Sequence, residues 1–407
     1  QWHSKGVYQI PYRCYVTPDL DNLFVGGRII SSSHVANGTT RVMCTSALGG
    51  EVIGRAASIC LSKGYKPIDL VDRDRIGLLQ SLLVKNGNFI PGIAVAVEDN
   101  LADSAEISVS SVLELDDLPA DGTWFGLDYP IAQLIPVNGK VPVVRMNVKA
   151  DNATRLVMEL RSSSKSENYT PDTIDAVLEF DLKKDENEIV ADFSYSYATP
   201  RYAFICLMKN PEISVPMSGR LVTGLTAVYN YINPAVSNFG KQVPPEGIGV
   251  EEFEFWCPKR RPESKNIAMS FAPSLASFNS ENLRNSYYRP YIGTNAWVAA
   301  FDDARPEVCF KWNGRKQIKT IILYFDTDTD QAMETVQMGH FDACVPTCYR
   351  EYIIRNSEGK ELYHITGNHQ TLNVLELDQP VTTDAIYVNF VRPCGDVCPG
   401  LMGVYVC

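Results

Sequence analysis

The sequence predicts a mainly β protein: a partial α/β segment at the N-terminus followed by two antiparallel β-sandwich domains. Three observations carry this expectation. Glycine-studded helical periodicity is confined to about the first ninety residues. From Ile93 onward, apolar residues alternate with period two in many short runs separated by Gly, Pro, Asn and Asp. A proline-flanked charged stretch, Pro258–Lys265 (PKRRPESK), divides those runs into two blocks. The expected domains are therefore 1–92, 93–262 and 263–407, and a chain of 407 residues is long enough for each to bury its own core.

Within the first segment, Asn22–Val25 is a short apolar run ending in Gly26-Gly27, the pattern of a buried parallel strand. Ser31–Thr40 is expected to be a loop. A helix should follow from about Arg41 to Lys63, with Thr39 or Thr40 as N-cap and Gly64 as its stop. Ala47, Gly50, Gly54 and Ala57 fall on one face of that helix and leave it almost free of side chains. Such a face either packs closely on a sheet or admits a flat ligand, and spacing alone does not choose. The helix N-terminus, with its unpaired N–H groups and partial positive charge, suits a phosphate or an anionic ring.

The later runs read as strands. Arg155–Leu160 places Leu156, Met158 and Leu160 on one face, and Ala176–Leu182 does the same with Ala176, Leu178, Phe180 and Leu182. EIVADFSYSY, RYAFICLM and EEFEFW continue the first block. PEVCFKW, IKTIILYFD, YREYIIRN, TLNVLEL, AIYVNF and MGVYVC form the second. Many short strands with turn residues between them indicate antiparallel sandwiches.

Bulk composition excludes several partners. A net charge of −11 argues against nucleic acid, which requires clustered Lys and Arg. No run approaches the ~20 apolar residues of a membrane helix, and no signal peptide is visible at Gln1. Eleven cysteines include two close pairs, Cys344/Cys348 and Cys394/Cys398, each spaced C-x3-C. Zinc and thioredoxin-like sites favour C-x2-C, so structural disulfides within or between these loops are the better reading, with free buried thiols the alternative. Such disulfides imply an oxidising, extracytoplasmic location, periplasmic or secreted.

A resemblance adds to this. YQIPYRCYVTPDLDNLFVGGRIISSSHVANGTTRVMCTSALGGEVIGRAA (8–57) resembles the C-terminal end of the FAD-binding fold in FAD-dependent oxidoreductases with the glutathione-reductase-type flavin fold. Its elements are Tyr12-Arg13, the DNL–apolar–GGR stretch Asp21–Arg28, the Ser-x-x-His loop Ser31–His34 and the helix Arg41–Gly54. Ile68–Gly92 is similar to the family's closing helix. The resemblance implies FAD as cofactor, held by Gly26, Gly27, Arg28, Gly38, Thr39, Thr40, Arg41, Val42 and Met43, with His34 as the candidate catalytic group. The family's fold opens on a GxGxxG unit that grips the pyrophosphate. No GxGxxG occurs here, so the chain is expected to hold half a flavin pocket, to need a missing N-terminal FAD-binding half as partner, and to be inactive alone.

The block after residue 265 resembles the discoidin-like, galactose-binding-like jelly roll, on NAWVAAFDDARPEVCFKW (Asn295–Trp312) and KTIILYFD. This implies a small-molecule or carbohydrate ligand, with Tyr287–Tyr291 and Trp297 able to stack on a sugar, though aromatics in sandwiches are more often core. Asp326, Asp328 and Asp330 alternate as calcium ligands do but lack the Gly and Glu of an EF-hand loop, so no metal is expected. Two functions remain: an FAD-dependent oxidoreductase with substrate-binding sandwiches, or a non-catalytic carbohydrate-binding or adhesion module that keeps a degenerate flavin-fold remnant.

Overall fold

The computed structural model describes residues 8–93, 99–164, 171–231, 240–242, 253–259, 264–327 and 345–407. The chain forms two compact units, Tyr8–Asn100 and Leu101–Cys407.

The first unit is helical. Helix α1 spans His34–Thr40, α2 spans Met43–Lys63 and α3 spans Arg73–Lys85. The strand expected at Asn22–Val25 does not form: Phe24 makes one isolated antiparallel bridge to Val16, and among the described residues of this unit no neighbouring strand offers a ladder. The expected loop is also corrected, because Ser33 caps α1 by accepting from the Ala36 N–H at 3.3 Å. The helix thus nucleated runs out in Thr39-Thr40-Arg41-Val42, where three β-branched residues favour extended backbone. Val42 is extended, so α2 begins at Met43, and no side chain caps it. Its far end stops as expected. Gly64 takes φ +69°, and the Gly64 and Tyr65 N–H groups both bond the Cys60 carbonyl. One face of α2, with Gly49, Ala56 and Cys60, packs into a core containing Tyr12, Tyr15, Leu70, Leu79 and Leu83.

Among the described residues of the second unit every strand pair is antiparallel, as expected. In the middle sandwich, one sheet orders Cys257–Pro258, Ala227–Tyr229, Ile131–Val137, Arg201–Leu207, Thr154–Ser162 and Thr173–Leu182. The facing sheet is built around Val143–Ala150, Asn210–Ser218 and Met269–Leu275. The period-two pattern is obeyed where both neighbours exist: Leu156, Met158 and Leu160 are fully buried. On the edge strand Thr173–Leu182, Ala176, Leu178 and Phe180 are only half-buried.

The C-terminal sandwich is built from long bent strands. Glu307–Phe325 pairs along most of its length with Leu372–Pro393, through register shifts that let one strand serve two parts of the sheet. PEVCFKW and IKTIILYFD, expected as separate strands, are therefore one, as are TLNVLEL and AIYVNF. Trp297 is fully buried and its indole N–H donates to the Ser111 carbonyl at 2.9 Å. Tyr288 and Tyr291 are buried, the former stacked on Tyr324 at 3.6 Å. Those three aromatics belong to the core, while Tyr287 is half-buried.

Candidate functional site

The residues singled out for a cofactor converge at the junction of α1 and α2. The Gly26–Ile29 turn packs against both helices. Gly26 lies close against α2, where a Cβ would sit 2.9 Å from the tip of Ile53 and make that side chain shift. Gly27 has φ +64° and needs glycine for its backbone. Arg28, Gly38 and Arg41 are exposed, and the Thr39 hydroxyl bonds that of Tyr8 at 2.7 Å. His34 opens α1 in an exposed position, where the structure gives it no catalytic partner among the described residues.

Two polar features stand out here. Thr40 is only 6 % exposed, yet its Oγ1 has no hydrogen-bond partner among the described residues. A buried hydroxyl without a partner costs about 1–3 kcal/mol. Beside it in sequence, the N-terminus of α2 carries uncapped N–H groups. Around them lies uncovered apolar surface: Ile29 is 73 % exposed, Val35 78 % and Met43 87 %.

The bare helix face is open as well. A Cβ at Gly50 or Gly54 would meet nothing within 4 Å, whereas one at Gly49 would lie 3.0 Å from the Tyr15 ring. The glycines that pack this unit and those that leave α2 bare are therefore different ones. Sequence spacing grouped Gly50 and Gly54 correctly but gave no sign that the break at Val42 leaves the helix uncapped.

The remaining candidates resolve otherwise. Asp326 is buried and accepts a hydrogen bond from Thr223 Oγ1 at 2.7 Å; Asp328 and Asp330 lie outside the described residues. Among the described residues, no group of three or more His, Cys, Asp or Glu could hold a metal. Cys394 is disulfide-bonded, while Cys348 and Cys398 are free, so neither is its partner. This excludes the local Cys394–Cys398 bridge; Cys344 lies outside the described residues. Burial pushes the Cys348 and Cys398 thiols up to about 12 and raises that of Cys206 as well. The thiolate is the reactive form. In the native protein at pH 8, iodoacetamide should therefore label exposed Cys44 and spare Cys206, Cys348 and Cys398, as mass mapping would reveal.

The N-terminal helices and the antiparallel sandwiches together define a chain of two different kinds of unit. Residues 1–83 match the model of the family described as FAD dependent oxidoreductase. No curated protein matches the chain. Among solved structures, it is similar to the family 32 carbohydrate-binding module of Streptococcus pneumoniae EndoD, at 11 % identity and TM-score 0.25, covering 32 % of this chain and 86 % of that one. It is similar also to chitosan-binding module 1 of a Paenibacillus sp. IK-5 chitosanase/glucanase (12 %, 0.24, 32 % and 86 %). A third is the family 32 module of C. perfringens NanJ in complex with galactose (11 %, 0.21, 27 % and 74 %). At these TM-scores the likenesses carry no argument, and the sandwich assignment rests on the strand pairing. Among the described residues, no helix is long and apolar enough to cross a membrane.

Proposed function

We propose that this chain is the C-terminal portion of an FAD-dependent oxidoreductase, in which the Tyr8–Asn100 unit supplies one wall of the flavin site. The carrying observation is a coincidence of place. The family match falls on the same residues that leave a buried unpartnered hydroxyl, an uncapped helix and an uncovered apolar surface side by side. Flavin, when bound, supplies the redox chemistry. The chain's own part is to orient it and tune its charge. Thr40 and the Met43 end of α2 donate hydrogen bonds toward an anionic edge. Gly50 and Gly54 let a flat group or backbone approach the helix. His34, exposed at the start of α1, is the candidate for proton exchange with substrate in this proposal. The pyrophosphate cradle comes from residues other than these 407, since no GxGxxG is present.

The sandwiches bind the substrate or a partner in this proposal, with carbohydrate the leading class from the discoidin-like sequence resemblance. The disulfide at Cys394 supports an extracytoplasmic setting. FAD titration tests the reading. The 407-residue chain alone should form no stoichiometric yellow complex, whereas a protein that adds a GxGxxG half should. Stoichiometric FAD on this chain alone would overturn the half-site, and a colourless extended protein would overturn the flavoprotein assignment.

A further inference from the structure

Leu101–Leu113 precedes the middle sandwich in sequence but is built into the C-terminal one. Glu106–Val109 pairs antiparallel with the strand Glu307–Phe325, from Glu106 opposite Lys311 to Val109 opposite Val308. Ala102 and Ala105 lie in the same buried core as Trp297, Phe310 and Trp312. Both indoles donate to this segment, Trp312 to the Leu101 carbonyl at 2.8 Å and Trp297 to that of Ser111 at 2.9 Å. Arg284 donates to the Ala105 carbonyl. Buried indole N–H groups left without these acceptors would each carry a desolvation cost, so the segment is structural to the domain.

Two residues beyond Leu113, the chain enters the other sandwich, where Leu115–Leu118 pairs with Met269–Leu275. It returns at Phe278. Entry and exit meet on one residue: the Leu113 N–H donates to the Val298 carbonyl at 2.8 Å, and the Val298 N–H donates to the Phe278 carbonyl at 3.2 Å. Ends held this close are the usual condition for one domain to be inserted within another. The seam beside them is also bonded. Thr223 of the middle sandwich donates to buried Asp326, and the Arg220 guanidinium stacks over the Phe301 ring at 4.2 Å.

We infer that the C-terminal sandwich is a two-segment domain, completed by residues 101–113, and that the middle sandwich, about 114–277, is inserted into it. The two then form one recognition body. A ligand on one is presented at a set orientation to the other, and residues 277–407 are not a detachable binding module.

Two measurements on the full chain test this. A protease site is introduced after exposed Ala276 and cut in native buffer. The two pieces should remain together through gel filtration and part only in denaturant. Release of residues 277–407 as a folded piece would overturn the inference. If the introduced site prevents folding, amide hydrogen exchange of the unaltered protein decides. Amides of 106–109 should be as protected as their ladder partners in 308–311, within about tenfold. Exchange of 106–109 at linker rates beneath a protected 308–311 would refute it.

Discussion

Replacing Gly54 with leucine should leave this chain folded and slightly more stable, yet strip flavin from the protein that carries the complete site. In the chain itself, a side chain at Gly54 points into open space. Leucine also exceeds glycine in helix propensity by roughly 0.5–1 kcal/mol. In the complete site, whatever lies on the bare face must retreat. Overpacking of about 1–3 kcal/mol translates to a roughly five- to 150-fold loss of cofactor affinity. Gly49→Leu is the converse control. Its Cβ would sit 3.0 Å from the ring of buried Tyr15, so it should lower the stability of the N-terminal unit even in this chain. Thermal melts of both variants, set against flavin absorbance per mole of complete protein, separate the two effects. Equal flavin content in Gly54→Leu and the parent would mean that the open face is ordinary surface.

That contrast marks what the residues could and could not announce. Strands were legible where a residue's burial depends on its own alternation. Leu156, Met158 and Leu160 are buried because sheet neighbours flank their strand on both sides, and period two records that directly. Asn22–Val25 has the same apolar character but only one isolated bridge, Phe24 to Val16, and strand formation depends on a ladder that local sequence does not contain. The α1–α2 break was hidden for a related reason. A single Ser33 cap starts a short helix within the stretch expected as a loop. Of the candidate site, glycine spacing disclosed the bare face, because a missing Cβ is visible in sequence. The unpartnered Thr40 hydroxyl was not, since whether a buried polar atom is satisfied depends on every neighbour around it. The same limit applies to Leu101–Leu113, whose alternation fits a strand without saying which sandwich owns it.

Arg161→Met should destabilise the middle sandwich by about 3–5 kcal/mol, the effect of breaking a buried ion pair by removing one partner. Arg161 lies on the strand Thr154–Ser162 with its side chain only 10 % exposed, and Glu159 beside it is 12 % exposed. Its Nε meets Glu159 at 2.5 Å and one terminal nitrogen meets Glu254 at 3.3 Å. That nitrogen also donates to the Pro171 carbonyl. The Trp256 indole and Asn230 amide donate to the same Glu254 oxygen, so Glu254 keeps partners when the arginine goes. Glu159 is left as a buried charge with its cation removed, and a methionine of similar length cannot supply donors. The sharper result comes from pairing the change with Glu159→Gln. If the penalty is that stranded carboxylate, the double variant should recover at least about 1 kcal/mol over Arg161→Met, a non-additivity expected of residues sharing one network. Urea midpoints of the parent, both single variants and the double variant give the coupling directly. A loss below about 0.5 kcal/mol for Arg161→Met would show that water reaches the pair and that the network is a surface feature. Simple additivity would instead place the cost in lost packing over Trp256, whose ring lies 5.5 Å from the guanidinium.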